Sequence, residues 1–136
     1  MQRLITLSNA AGVVPLGAWW RDPDRGLLAK PENTYTAGFR GRAIGFKGSM
    51  CINAEQVGPL NQAFTPTDFE VSAAGSLLEA YREGVSQGMA VVKWDERLID
   101  RGTAAQAQSL IDLGVNCTLR DESKEAAFEG KPVPAP

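Results

Sequence analysis

The sequence predicts an α+β protein, and three observations carry that prediction. Glycine and proline cut the first half into short apolar runs, the second half alternates helical periodicity with β-rich runs, and the end is polar and proline-rich. A chain of 136 residues with 43% hydrophobic content can build one core of ordinary domain size. The expected organisation is therefore a single mixed domain over residues 1–120 and a polar, proline-rich tail over residues 121–136.

Up to about Asn61 the apolar stretches are Leu4-Ile5-Thr6-Leu7, Gly12-Val13-Val14-Pro15-Leu16, Thr34-Tyr35-Thr36-Ala37, Ala43-Ile44-Gly45-Phe46 and Met50-Cys51-Ile52. Their length and their Gly and Pro punctuation predict short strands joined by turns. Asp22-Pro23-Asp24-Arg25-Gly26 has turn chemistry, and Lys30-Pro31-Glu32-Asn33 marks another break.

A helix is predicted to start at Thr67, which has Glu70 at capping-box spacing, and to place Val71, Ala74, Leu78, Tyr81 and Val85 on one face. Gly88 is its expected stop, and Gly75 and Gly84, unfavourable inside a helix, point to close packing or an earlier end. Met89-Ala90-Val91-Val92-Lys93-Trp94 reads as a buried strand. Thr103 and Gln106 predict a second capped helix with Ala107, Leu110 and Ile111 as its stripe and Gly114 as its end. The alternation of Val115, Cys117 and Leu119 with polar residues predicts a further strand, parallel to the first if the second helix is a crossover. Asp121-Glu122-Ser123-Lys124-Glu125 and the run from Gly130 to Pro136 are expected to form an extended tail.

The chain has no histidine, and with it go the commonest neutral-pH general base and the commonest metal ligand. Cys51 and Cys117 stand far apart without zinc-site or redox spacing, so both are expected as small buried residues, with a disulfide between them left open by sequence. A formal net charge of -2 favours neither a nucleic-acid binder nor an acidic mimic. No apolar run reaches the ~20 residues of a bilayer span, and the first residues lack the apolar stretch of a signal peptide. The chain is expected to be unsecreted and away from membranes.

Three constellations invite a functional reading. Gly38-Phe39-Arg40-Gly41-Arg42-Ala43-Ile44-Gly45-Phe46-Lys47-Gly48-Ser49 gathers three cations, two aromatics and flexible glycines. It matches neither the dinucleotide fingerprint nor a P-loop, and it falls short of KH and RNA-recognition motifs, so a glycine-rich hairpin with solvated cations is favoured. Trp19 and Trp20 with Arg21 and Arg25 are candidate partner anchors, because adjacent residues of a strand point to opposite faces and Trp and Arg are enriched at interfaces. Asp95, Glu96 and Asp100 with Lys93 and Arg97 follow the expected buried strand. Paired carboxylates there would serve a hard cation or acid–base chemistry, but the signs are mixed and no partner motif elsewhere completes a site, so a solvated loop or surface ion-pair cluster is the favoured reading.

In style, a small Ala- and Gly-rich chain with extended ends, the sequence resembles small virion proteins of tailed phages such as decoration, cement, connector or tail subunits. That resemblance implies a non-enzymatic structural or interaction protein, present in the virion or the host cytoplasm, with no cofactor. The resemblance assigns no individual residues; on the constellations above, such a protein would dock through Trp19, Trp20, Arg21, Arg25, Arg40, Arg42 and Lys47 onto its own copies or onto capsid and tail subunits. The alternative is a phosphate- or nucleic-acid-binding α/β domain that uses Arg40, Arg42 and Lys47.

Overall fold

The structure is a computed structural model that describes residues 1–17 and 31–130. It contains two compact units, Met1–Thr65 and Pro66–Pro136. The described residues are mostly helical with one small two-stranded sheet, so the α+β expectation holds at that coarse level.

In the first unit, helix α1 (Gln2–Ala10) turns Ile5 into the core. Helix α2 (Pro31–Ile44) packs on α3 (Val57–Phe64), which a single 3-10 turn (Ala54–Gln56) precedes. Among the described residues the short strands expected here are absent. Leu4–Leu7 lies in α1, Thr34–Ala37 and Ala43–Ile44 lie in α2, and of the described residues only a single parallel bridge between Leu16 and Gly48 has β character. The physical reason is visible on α2. Its buried positions are Thr34, Ala37, Gly38 and Gly41, the i, i+3, i+4, i+7 pattern of a helix face. That face is built from small residues, so the hydrophobic pattern of the sequence hides it. Gly38 does not break the helix but lets α3 approach: a Cβ there would stand 2.9 Å from the Ala63 Cβ.

In the second unit, helix α4 (Asp68–Ser86) starts at the expected capping box. The Glu70 N–H donates to Thr67 Oγ1 at 3.2 Å and the Thr67 N–H donates to Glu70 Oε2 at 2.8 Å, an arrangement that supports a helix end by about 1 kcal/mol. The chain leaves the helix through Gly88 at a φ of +82°, a backbone state that suits glycine. Strands β1 (Val92–Trp94) and β2 (Arg97–Ile99) form an antiparallel hairpin with Val92 opposite Ile99, both buried. Gly84 provides the close packing anticipated for it, because a side chain there would overlap Val92.

Helix α5 (Arg101–Phe128) then packs on α4, with Ala74, Leu78, Ala104 and Ala107 forming the buried cluster and Leu77, Tyr81, Leu110 and Ile111 packed against it. Five sequence expectations are corrected here. The N-cap is Asp100, three residues before Thr103. Gly114 is a contact point and not a stop, since a Cβ on it would lie 2.9 Å from Val71 Cγ2. The expected strand over residues 115–119 is a continuation of α5, because the half-buried positions Leu110, Ile111, Gly114 and Cys117 recur with helical spacing while Val115 and Leu119 are exposed. Among the described residues no strand follows α5 and no parallel crossover is formed; β1 pairs with its immediate successor. The polar residues 121–128, expected in an extended tail, complete the helix, and residues 131–136 lie outside the described residues.

Candidate functional site

Between the start of α4, the hairpin and the start of α5 lies an open groove of about 740 Å³, a volume suited to a small ligand or a few docked side chains. Ala74 and Ala107 are buried at its base, and their small size lets the groove sink between the two helices. Leu77, Leu110 and Trp94 line it, as does Phe69, which is 80% exposed. Asp95, Glu96, Arg97 and Thr103 bring polar groups to the same groove.

The hairpin turn is two residues long, since Trp94 pairs with Arg97 across Asp95 and Glu96. Asp95 takes a positive φ of 50°; Asp tolerates this left-handed state better than most side chains. Both turn acids are exposed, and neither makes a hydrogen bond or ion pair among the described residues.

Asp100 differs from them in being anchored. It stands between β2 and α5, exposed to solvent, and its Oδ1 accepts the Thr103 backbone N–H at 2.7 Å and the Thr103 hydroxyl at 2.8 Å. The Thr103 N–H, followed by the Thr103 hydroxyl, holds the Asp100 carboxyl below its ordinary pKa, and slight desolvation opposes them. Asp100 is therefore a fixed, ionised carboxylate on the edge of the second unit.

The residues singled out from sequence fare unevenly. Trp19, Trp20, Arg21 and Arg25 lie outside the described residues. Arg40 and Arg42 sit on α2 and not on a glycine-rich hairpin, while Lys47 follows that helix. Arg40 and Lys47 are exposed, but Arg42 is half-buried, and its Nη1 donates to the Thr65 carbonyl at 3.3 Å. The three cations thus do not share one loop. Cys51 and Cys117 are free thiols, and Cys51 is exposed rather than buried. Of the acidic segment, Asp95, Glu96 and Arg97 do meet at the groove. Sequence reasoning missed Phe69, whose only signal was an apolar side chain standing outside the stripe of α4.

Among the described residues, no group of three or more Asp, Glu, Cys or His side chains is placed to hold a metal ion. No helix among them is long and apolar enough to cross a membrane.

No family model matches the chain. Similar proteins are nonetheless clear. A citrate lyase subunit beta-like protein of Deinococcus radiodurans is 29% identical over 84 residues, 62% of this chain and 30% of that protein. An L-malyl-CoA/beta-methylmalyl-CoA lyase of Cereibacter sphaeroides is 30% identical over 110 residues, 79% of this chain and 32% of that protein. The chain therefore spans about a third of the length of the curated relatives it matches. Among solved structures, CitE of Mycobacterium tuberculosis, crystallised with magnesium, acetoacetate and coenzyme A, superposes with a TM-score of 0.66 at 19% identity, over 84% of this chain and 40% of that one.

These findings overturn the expectation of a phage virion protein. The relatives are lyases, so the non-enzymatic reading, the capsid and tail partners and the virion location are corrected, and the alternative of a phosphate- or nucleic-acid-binding domain finds no support in them. Missing motifs and overall style are not positive signals for a virion protein. At 19% identity, the structural likeness establishes the fold: this chain folds like part of the mycobacterial protein.

Proposed function

We propose that the protein carrying this chain is a carbon–carbon lyase acting on a hydroxy acid or its coenzyme A thioester, and that this chain contributes the Asp100 carboxylate to the reaction. The observation that carries this reading is the likeness of 79% of the chain to an L-malyl-CoA/beta-methylmalyl-CoA lyase. It is supported by the one carboxylate of the hairpin region that is both exposed and anchored. A proton-transfer group must be held in place to be useful, and Asp95 and Glu96 lack such an anchor.

Cleavage of a β-hydroxy thioester needs a proton acceptor. As the bond between the α and β carbons breaks, its electron pair moves to the carbon next to the thioester, the oxygen on the β carbon becomes a carbonyl, and the hydroxyl proton must leave. An ionised carboxylate can take that proton, and in a chain without histidine it is the natural choice. The described residues do not fit a magnesium site by themselves, so no step is assigned to that ion here.

Wild-type protein incubated with L-malyl-CoA or with citrate should release the smaller products, followed by mass spectrometry. Asp100→Asn should lower kcat by about 10²- to 10⁴-fold, the ordinary worth of a proton-transfer group. Absence of turnover on both compounds would overturn the lyase reading, and full activity of Asp100→Asn would overturn the role of Asp100. Exposed Arg40 and Lys47 remain candidates for contact with other polypeptide, testable by their substitution.

A further inference from the structure

We infer that Thr103 is a positioning residue for Asp100: its N–H and its hydroxyl both grip Oδ1, at 2.7 and 2.8 Å, and leave Oδ2 to meet the reacting hydroxyl. This rests on the reading of Asp100 as proton acceptor given above.

A helix start requires less than this. The backbone bond from the third residue of the helix to the N-cap side chain is enough to satisfy the orphan donor, and any residue at position 103 other than proline supplies it. The hydroxyl adds a second donor to the same oxygen, which restricts rotation of the carboxylate about its last bond. Thr103 is itself restrained, being β-branched and half-buried along the groove. The arrangement also reverses that of α4. There the acid is the third residue, and Glu70 folds back onto the Thr67 N–H and hydroxyl. At α5 the acid is the cap itself, presented at the end of β2, and the threonine reaches back to it.

The charged groups around Asp100 do not explain its state. Arg97 on β2, Arg101 on α5, Asp95 and Glu96 on the turn, and Glu79, Arg82 and Glu83 on α4 are all exposed. The causes that lower the Asp100 pKa are hydrogen bonds, with the two from Thr103 the largest.

The test compares Thr103→Val, which keeps the shape and the backbone N–H but removes the hydroxyl, with Thr103→Ser, which restores it. The first readout is the Asp100 pKa from carboxyl ¹³C NMR of the full chain, which needs no activity. Thr103→Val should move it upward toward the ordinary aspartate value, and Thr103→Ser should return it. The second is the pH profile of kcat/KM, whose acid limb should shift to higher pH in Thr103→Val with kcat reduced about 10- to 100-fold, both restored by Ser. An Asp100 titration that is unchanged in Thr103→Val, or equal in the Val and Ser variants, would overturn the inference whatever the activity. A shifted titration combined with full activity of Asp100→Asn would instead overturn the reading of Asp100 on which it rests.

Discussion

Gln56 is 1% exposed, yet both ends of its amide are satisfied. Oε1 accepts the Ile52 N–H at 2.7 Å and Nε2 donates to the buried Thr34 hydroxyl at 3.4 Å. Gln56→Leu removes these bonds at a buried site and leaves their partners to be satisfied otherwise, which should cost about 1–3 kcal/mol, read as a lower midpoint in urea. Asp100 adds a pH dependence whose sign follows from its lowered pKa. The carboxylate is more favourable folded than unfolded, so its contribution is complete above the unfolded pKa and is lost as pH falls through the folded one. Asn also caps helices, so melting curves of wild type and Asp100→Asn should draw together on acidification as wild type loses this contribution. The exposed Cys51 should react with a thiol reagent faster than the half-buried Cys117, and exhaustive reaction should count two thiols per chain. The sequence could not assign that difference, because a lone cysteine carries no pattern that marks its burial.

At the scale of elements, α4 was legible and α2 was not, and the difference lies in what each helix buries. Helix α4 shows an apolar stripe and a capping box, both written in residue types with strong preferences. Helix α2 buries Thr34, Ala37, Gly38 and Gly41 while Tyr35 and Phe39 stack on its exposed side with ring centroids 6.1 Å apart. Its aromatic residues therefore point away from its packed face. In α5, Gly114 imitated a terminator although its role is to admit Val71. Glycines inside α4 allow a sharp test of this distinction. Gly75 has nothing within 4 Å of a built Cβ, whereas a Cβ on Gly84 would overlap Val92. Gly75→Ala should stabilise the protein by roughly 0.5–1 kcal/mol through helix propensity. Gly84→Ala gains the same propensity but overpacks the hairpin, a cost of about 1–3 kcal/mol, so its thermal midpoint should fall. Equal shifts of the two midpoints would refute the packing account.

At the scale of the whole molecule, the candidate site was only partly legible. Asp95, Glu96, Asp100 and Arg97 stood out as a charged segment after a strand, but their sequence neighbours did not reveal that Asp100 would be held and the others not. The deciding contact is with Thr103, which the sequence read as a cap in its own right. A missing histidine and missing motifs had pointed away from catalysis. Yet a chain spanning about a third of its relatives' length offers a motif search only that share of the residues, and a carboxylate needs no motif to act. The discriminating information was therefore similarity spread thinly over most of the chain, at 30% identity over 110 residues, which no single run of residues displays.

The two-residue turn between β1 and β2 bears on how the second unit is reached as well as on what it presents. Helix α4 packs on β1, β1 pairs with β2, and α5 packs chiefly on α4 across the intervening hairpin. Little chain must be looped out before contacts form, so the conformational search is short, and folds of this local kind reach their native state in about microseconds to milliseconds. The hairpin turn keeps that loop short: it reverses the chain and brings α5 back to α4.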